Sequence, residues 1–224
     1  MKYKIKNIGR LSPADLLNIL YKSATLYSKY ADTTLLFIFR ENKSAPYDYY
    51  EVRYGKDNFM HLAGIKSKTL SAVEFYEACE KRIIKREDCN PRRDLNTMYS
   101  KLAIMEQMLD LKNSKCYKIG VKNLVTRNND FEMATGNASG VIGYDSRIKK
   151  KGTQIIDKTK ASIPTTLLTN PITDYCIRPQ KIMFILQKYD EENTYNKLFY
   201  EIKKDLFHKE KEMFSDELKK LIEL

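Results

Sequence analysis

Tryptophan is absent, histidine occurs only twice, and no apolar run approaches the about 20 residues that span a bilayer. A membrane-spanning helix is therefore not expected. Four cysteines are present, Cys79, Cys89, Cys116 and Cys176, and no two have C-x-x-C spacing. That spacing is what a zinc knuckle or a dithiol redox centre needs, so neither is read here. No secretory leader is read, so reduced thiols in a cytosol are the expectation. The chain also lacks H-E-x-x-H, an acidic two-metal cluster, a G-x-S-x-G elbow and a dinucleotide glycine fingerprint. No metal and no cofactor is expected.

Acid is the scarcer charge. Lysine plus arginine number 40 against 29 aspartate plus glutamate, a net of +11. The excess is uneven: Glu191 to the C-terminus holds 7 basic and 9 acidic residues, so residues 1–190 carry +13. Such an excess points to a polyanion, and no strongly apolar amphipathic face asks for a membrane surface. The length and a hydrophobic content of 42% suit one sizeable domain. The expectation is a domain over 1–190 and a helical extension over 191–224 packed on it. The 16 tyrosines are read mainly as half-buried strand residues rather than stacking surfaces.

Ser12-Pro13-Ala14-Asp15 is a helix start, followed by apolar residues at helical spacing to about 29. Thr33 to Arg40 reads as a buried strand and Tyr49 to Tyr54 as its hairpin partner. Phe59 to Leu62 reads as a third short strand after the turn Gly55–Asn58. Ser71-Ala72-Val73-Glu74 is a capping box that opens a helix over 72–85. Residues 86–94 read as a loop and Leu95 to Leu111 as a helix with a methionine stripe suited to a core. Short glycine-punctuated strands follow at 116–121, 131–134 and 140–144, and Lys181 to Gln187 is strand-like. Helices are expected over 196–212 and from Ser215 to Leu224. The fold class expected is α+β.

Three clusters could carry chemistry. His61 lies between apolar residues and is followed by Gly64, Lys66 and Lys68. Imidazole titrates where proton transfer near neutral pH needs it, and a lysine steadies charge on a phosphorane. The plainer reading is a packed histidine beside solvated lysines. Gly136-Asn137-Ala138-Ser139-Gly140 allows close backbone approach with small polar side chains nearby, or is simply a tight turn. Pro164-Thr165-Thr166-Leu167-Leu168 places two hydroxyls just beyond the basic window 147–160, where six basic residues face only Asp157.

The residues and their order resemble a nuclease family of phages and mobile elements. It is the fourth such class in the superfamily that unites barnase, EndoU, colicin tRNases and RelE. The resemblance is carried by Phe59-Met60-His61-Leu62-Ala63-Gly64, the Ser71–Tyr76 helix start, Ile119-Gly120, Gly136–Ser139 leading to Gly143-Tyr144, and Pro164–Leu168. It covers about residues 30–190. One departure is Ala63, where the class leads us to expect threonine.

The resemblance implies helices packed on one face of a small antiparallel sheet with RNA on the other, plus the C-terminal helices. It implies a cytosolic, metal-independent endoribonuclease, a toxin or an effector in phage–host conflict, cutting tRNA or mRNA by 2′-hydroxyl attack. His61, Ser139 and Thr166 become the catalytic candidates. Lys66, Lys68, Arg147, Lys149, Lys150, Lys151 and Thr165 become the nucleic-acid contacts. A cognate inhibitor or a host defence protein is the expected protein partner. The alternative is an inactive module of the same fold that binds RNA or inhibits a defence protein.

Overall fold

A computed structural model describes residues 11–112, 117–121, 124, 131–150, 153–156 and 161–224, with backbone alone at 147–150 and 153–156. The first helix, α1 (Pro13–Tyr27), begins where the Ser12 hydroxyl accepts the Asp15 N–H at 3.1 Å. It leads into β1 (Thr33–Arg40) and β2 (Asp48–Tyr54), an antiparallel hairpin that pairs Thr33 with Tyr54 and Phe39 with Asp48.

The next segment departs from expectation. Residues 56–62 form a helix, α2 (Lys56–Leu62), not a strand. Gly55 caps it in an extended conformation, and the Asn58 side chain accepts the Gly55 N–H at 3.0 Å. Tyr27 then donates to the Gly55 carbonyl at 2.8 Å. Phe59 and Leu62, three apart, both bury fully, which only a helical turn allows on this side of the core. A short apolar run is ambiguous by pattern, and the cap decides it.

A two-residue ladder between β3 (Ile65–Lys66) and β4 (Asn90–Pro91) brackets α3 (Ala72–Glu80), which ends five residues earlier than its sequence suggested. Helix α4 (Leu95–Leu109) follows, capped by Asp94. Then come β5 (Lys118–Gly120), β6 (Met133–Gly136), β7 (Val141–Asp145), the hairpin β8 (Arg147–Lys150) with β9 (Thr153–Ile156), β10 (Ile163–Leu168) and β11 (Gln180–Tyr189).

The C-terminal region holds a second correction. Residues 197–201 form a strand, β12 (Lys197–Glu201), paired with β11, where a helix was expected. Phe199 buries on the sheet, and the Glu201 carboxylate accepts the N–H groups of Asp205, Leu206 and Phe207. That cap delays the helix to α5 (Leu206–Glu210), and α6 (Asp216–Lys220) ends the fold behind a Ser215 cap.

The main sheet runs β10-β7-β6-β5-β11-β1-β2, antiparallel throughout, with β12 beside β11. The class is α+β. The sheet curls until its ends touch: Ser162, just before β10, donates its N–H to Glu51 and accepts that of Arg53. Beyond Ser162 the two end strands part, and β10 is left with an open edge against which α2 and α4 lie.

Both faces are covered. On one, α1 to α4 pack over Leu35, Phe37, Phe39, Val52 and Tyr54. On the other, Leu36, Ile38, Phe184 and Leu186 lie under Tyr195, Phe207, Phe214 and Leu218. The sheet face expected to receive RNA is therefore closed over β1 and β11 by apolar contact. Tyrosine is a core residue here. Tyr27, Tyr30, Tyr54, Tyr76, Tyr144 and Tyr195 are fully buried, and Tyr144 hydrogen-bonds Tyr54 at 2.7 Å and Thr135 at 2.6 Å. Among the described residues, no helix is long and apolar enough to cross a membrane.

Candidate active site

His61 sits in the last turn of α2, one step off the buried Phe59–Leu62 stripe, so its ring is half-buried. The helix ends through Ala63 and then Gly64 at φ +70°, a conformation that favours glycine. Gly64 donates its N–H to the His61 carbonyl at 3.0 Å and accepts the Arg92 N–H at 2.9 Å. A Cβ at Gly64 would lie 2.9 Å from Lys101 Cδ and 3.5 Å from Met98 Cα. One glycine thus draws together His61, the loop before α4, and the second turn of α4.

That loop brings Arg92 and Arg93, both exposed, to the N-terminus of α4. Asp94 does not neutralise them by an ion pair; its carboxylate accepts the Thr97 N–H at 2.9 Å and hydroxyl at 2.7 Å. The opposite wall is the open edge of β10. Its register shifts between Pro164 and Thr166, a bulge that re-aims the strand beside His61. Proline is tolerated there because an edge strand needs no further N–H donor.

The walls enclose a cavity of about 370 Å³ lined by His61, Gly64, Arg92, Arg93, Asn96, Thr97, Ser100, Lys101, Thr166, Leu167, Leu168, Thr169, Asn170 and Tyr175. No carboxylate is in the lining. Among the described residues no ion pair holds Arg92, Arg93 or Lys101.

The charge pattern acts on two groups. Burial pushes the His61 imidazole down to about 4, with Arg92 and Lys101 adding to the fall; the Thr165 backbone carbonyl opposes it, and Arg93 adds a little more. Burial also pushes the Lys101 ammonium down to about 8, helped by Arg93 and Arg92. At neutral pH the imidazole is therefore neutral and the lysine still charged.

Two of the three sequence clusters meet, because His61 and Thr166 line one cavity. Ser139 does not join them. It belongs to the β6–β7 turn, where its N–H donates to Asn137 Oδ1 at 2.7 Å. Thr165 turns its hydroxyl to the Gly143 carbonyl at 3.1 Å and offers His61 its backbone instead. Lys66 and Lys68 are exposed and outside the lining. Ala63 is fully buried in the core and does not line the cavity. Only the backbone of Arg147, Lys149 and Lys150 is described, as β8; Lys151, like Cys116, lies outside the described residues.

Arg92, Arg93, Lys101 and Tyr175 were missed by sequence reasoning. The signal for the arginines was their position just before a capped helix, where backbone N–H groups and cations suit an anion. Lys101 had no signal, since one lysine in a helix is ordinary.

The description phage-Barnase-EndoU-ColicinE5/D-RelE like nuclease4, or PBECR4, matches residues 19–204. The chain belongs to this family. The match runs from within α1 to just past β12 and includes every residue that lines the cavity. This PBECR4 protein is a nuclease of the barnase–EndoU–colicin–RelE type, with nucleic acid as the class of substrate. No curated protein and no solved structure matches the chain.

Proposed function

We propose that this protein is a metal-independent endoribonuclease of a mobile element, acting in the cytosol as a toxin or as an effector in phage–host conflict. One observation carries the reading: His61 shares a cavity with Thr166 and three cations, with no carboxylate in its lining. That charge pattern suits a phosphodiester and is a poor cage for a divalent ion, which takes hard oxygen donors.

The chemistry follows from the two displaced pKa values. Neutral His61 accepts the proton of a ribose 2′-hydroxyl as its oxygen attacks the adjacent phosphorus. Arg92 and Arg93 hold the equatorial oxygens as charge gathers on the phosphorane. Thr166 orients the phosphate. Protonated Lys101 delivers its proton to the departing 5′-oxygen as the P–O5′ bond breaks, leaving a 2′,3′-cyclic phosphate. Arg147, Lys149, Lys150 and Lys151 track the backbone of a tRNA or mRNA by charge alone. In this account Lys66, Lys68 and Ser139 are outside the reacting group.

The test is incubation of the full chain with total RNA in EDTA. Fragments with 2′,3′-cyclic ends are expected, with rate lost by about 10²–10⁴ in His61→Ala. An oligonucleotide with a 2′-deoxy sugar at the cut site is expected to stay whole. RNA that is bound but left intact at high protein excess overturns catalysis and favours an inactive RNA-binding module.

A further inference from the structure

The cavity has a wall the phosphate chemistry does not use. We infer that Tyr175 is the platform on which a nucleobase of the substrate stacks, beside the phosphate held by Arg92, Arg93 and Lys101. The inference rests on the nucleic-acid reading of the cavity and names a base subsite within it.

The cations come from the α3–α4 loop and from α4, whereas Tyr175 comes from the segment that follows β10. From Thr166 the lining continues through Leu167, Leu168, Thr169 and Asn170 to Tyr175. A ligand filling this space meets concentrated positive charge on one wall and a flat aromatic on another. A nucleotide has both matching parts, an anionic phosphate and a π-face.

The platform is fastened from below. Ile172 is 2% exposed and donates its N–H to the Asn137 carbonyl at 3.0 Å. Tyr175 and Cys176 both donate back to the Ile172 carbonyl, at 3.1 and 3.0 Å. Phe131, itself buried, braces the Tyr175 ring edge-on, with centroids 6.0 Å apart. Cys176 packs so close to Gly120 that a Cβ there would fall 2.7 Å from Cys176 Cβ. Ile119-Gly120, part of the family resemblance, and Gly136–Ser139, one of the three candidate clusters, therefore serve as footings. The first admits Cys176, and the second presents the Asn137 carbonyl. A ring so held is pre-organised, so stacking on it orders little that was mobile.

The experiment compares binding of a nucleoside 3′-monophosphate and of inorganic phosphate to the full chain by calorimetry. Wild type, Tyr175→Phe, Tyr175→Leu and Tyr175→Ala are each measured. The mononucleotide is expected to bind about tenfold or more tighter than phosphate. That advantage should persist in Tyr175→Phe and vanish in Tyr175→Leu and Tyr175→Ala, with phosphate affinity unchanged. Leucine keeps bulk against Phe131 without a π-face, so it decides the matter if alanine disturbs folding. A mononucleotide advantage that survives Tyr175→Leu, or is missing from wild type, overturns the subsite. Both outcomes are separate from catalysis, since intact RNA in EDTA would defeat the ribonuclease reading and leave this ratio measurable.

Discussion

The two sides of the sheet treat their cations in opposite ways. On the C-terminal side Arg40, with its side chain 9% exposed, meets Glu210 at 3.2 Å and lies over the Tyr47 ring at 4.7 Å. The Tyr47 hydroxyl donates to the same glutamate, and Lys188 lies 4.8 Å over the Tyr195 ring. At the cavity, Arg92, Arg93 and Lys101 crowd around one imidazole with no carboxylate in the lining. The first arrangement is charge used to hold a structure together. The second is like charge held close with no acid in the lining to offset it, an arrangement that opposes folding and is common at functional sites.

The sharpest way to break this contrast is to remove charge on each side. Lys101→Met should reduce RNA cleavage about 100-fold, since it removes the proposed proton donor. The same change should leave melting temperature equal or higher. Lys101 is held at about 8 when folded, below its ordinary value, so at pH 7 keeping it charged opposes folding. A melting temperature that falls by many degrees would mean Lys101 is structural.

Glu210→Ala should do the reverse. It leaves Arg40 and the Tyr47 hydroxyl without their partner and should lower stability by about 2–3 kcal/mol in urea unfolding. Cleavage per folded molecule should be unchanged. If cleavage fell with stability intact, the two sides would not be separable in this way.

A third effect depends on pH. The His61 pKa is lower in the folded protein, about 4, than in an unfolded chain, about 6.5. Below about 6.5 the unfolded chain binds the extra proton more readily, so His61's contribution to stability is full above that pH. It is lost progressively as pH falls toward 4. Urea unfolding across this range should show the decline, and His61→Gln should flatten it.

Smallest of all should be Ser139→Ala and Lys66→Ala. Each should change the cleavage rate by no more than about twofold, because neither residue lines the cavity. A large loss in either would restore the arrangement the sequence suggested.

The sequence exposed the parts of the fold that local chemistry decides. The Ser12 and Ser71 caps, the β1 run and the β11 run all stand where their residues place them. His61 stood out through the scarcity of histidine, and Thr166 through a proline-led strand entry. Two elements were misread because a long-range contact outweighs pattern. Residues 59–62 are too few to show a period, and Tyr27 from a distant helix secures the cap that makes them helical. Residues 197–201 have charged spacing that suits a helix, yet β11 offers an edge and Phe199 a place to bury. The arginine pair and Lys101 were hidden for a related reason. Their meaning depends on Gly64 closing the space between α2 and α4, and only the folded chain shows that approach.

The central claim is that an electropositive cavity around one imidazole awaits a phosphate. It is tested most directly by NMR titration of the His61 ring, with and without inorganic phosphate. Only two histidines need assignment, and His208→Gln identifies the other, which is exposed on α5. The account predicts titration near 4 in the free protein and a clear rise when phosphate is added. An imidazole that titrates near 6.5 and ignores phosphate would contradict it.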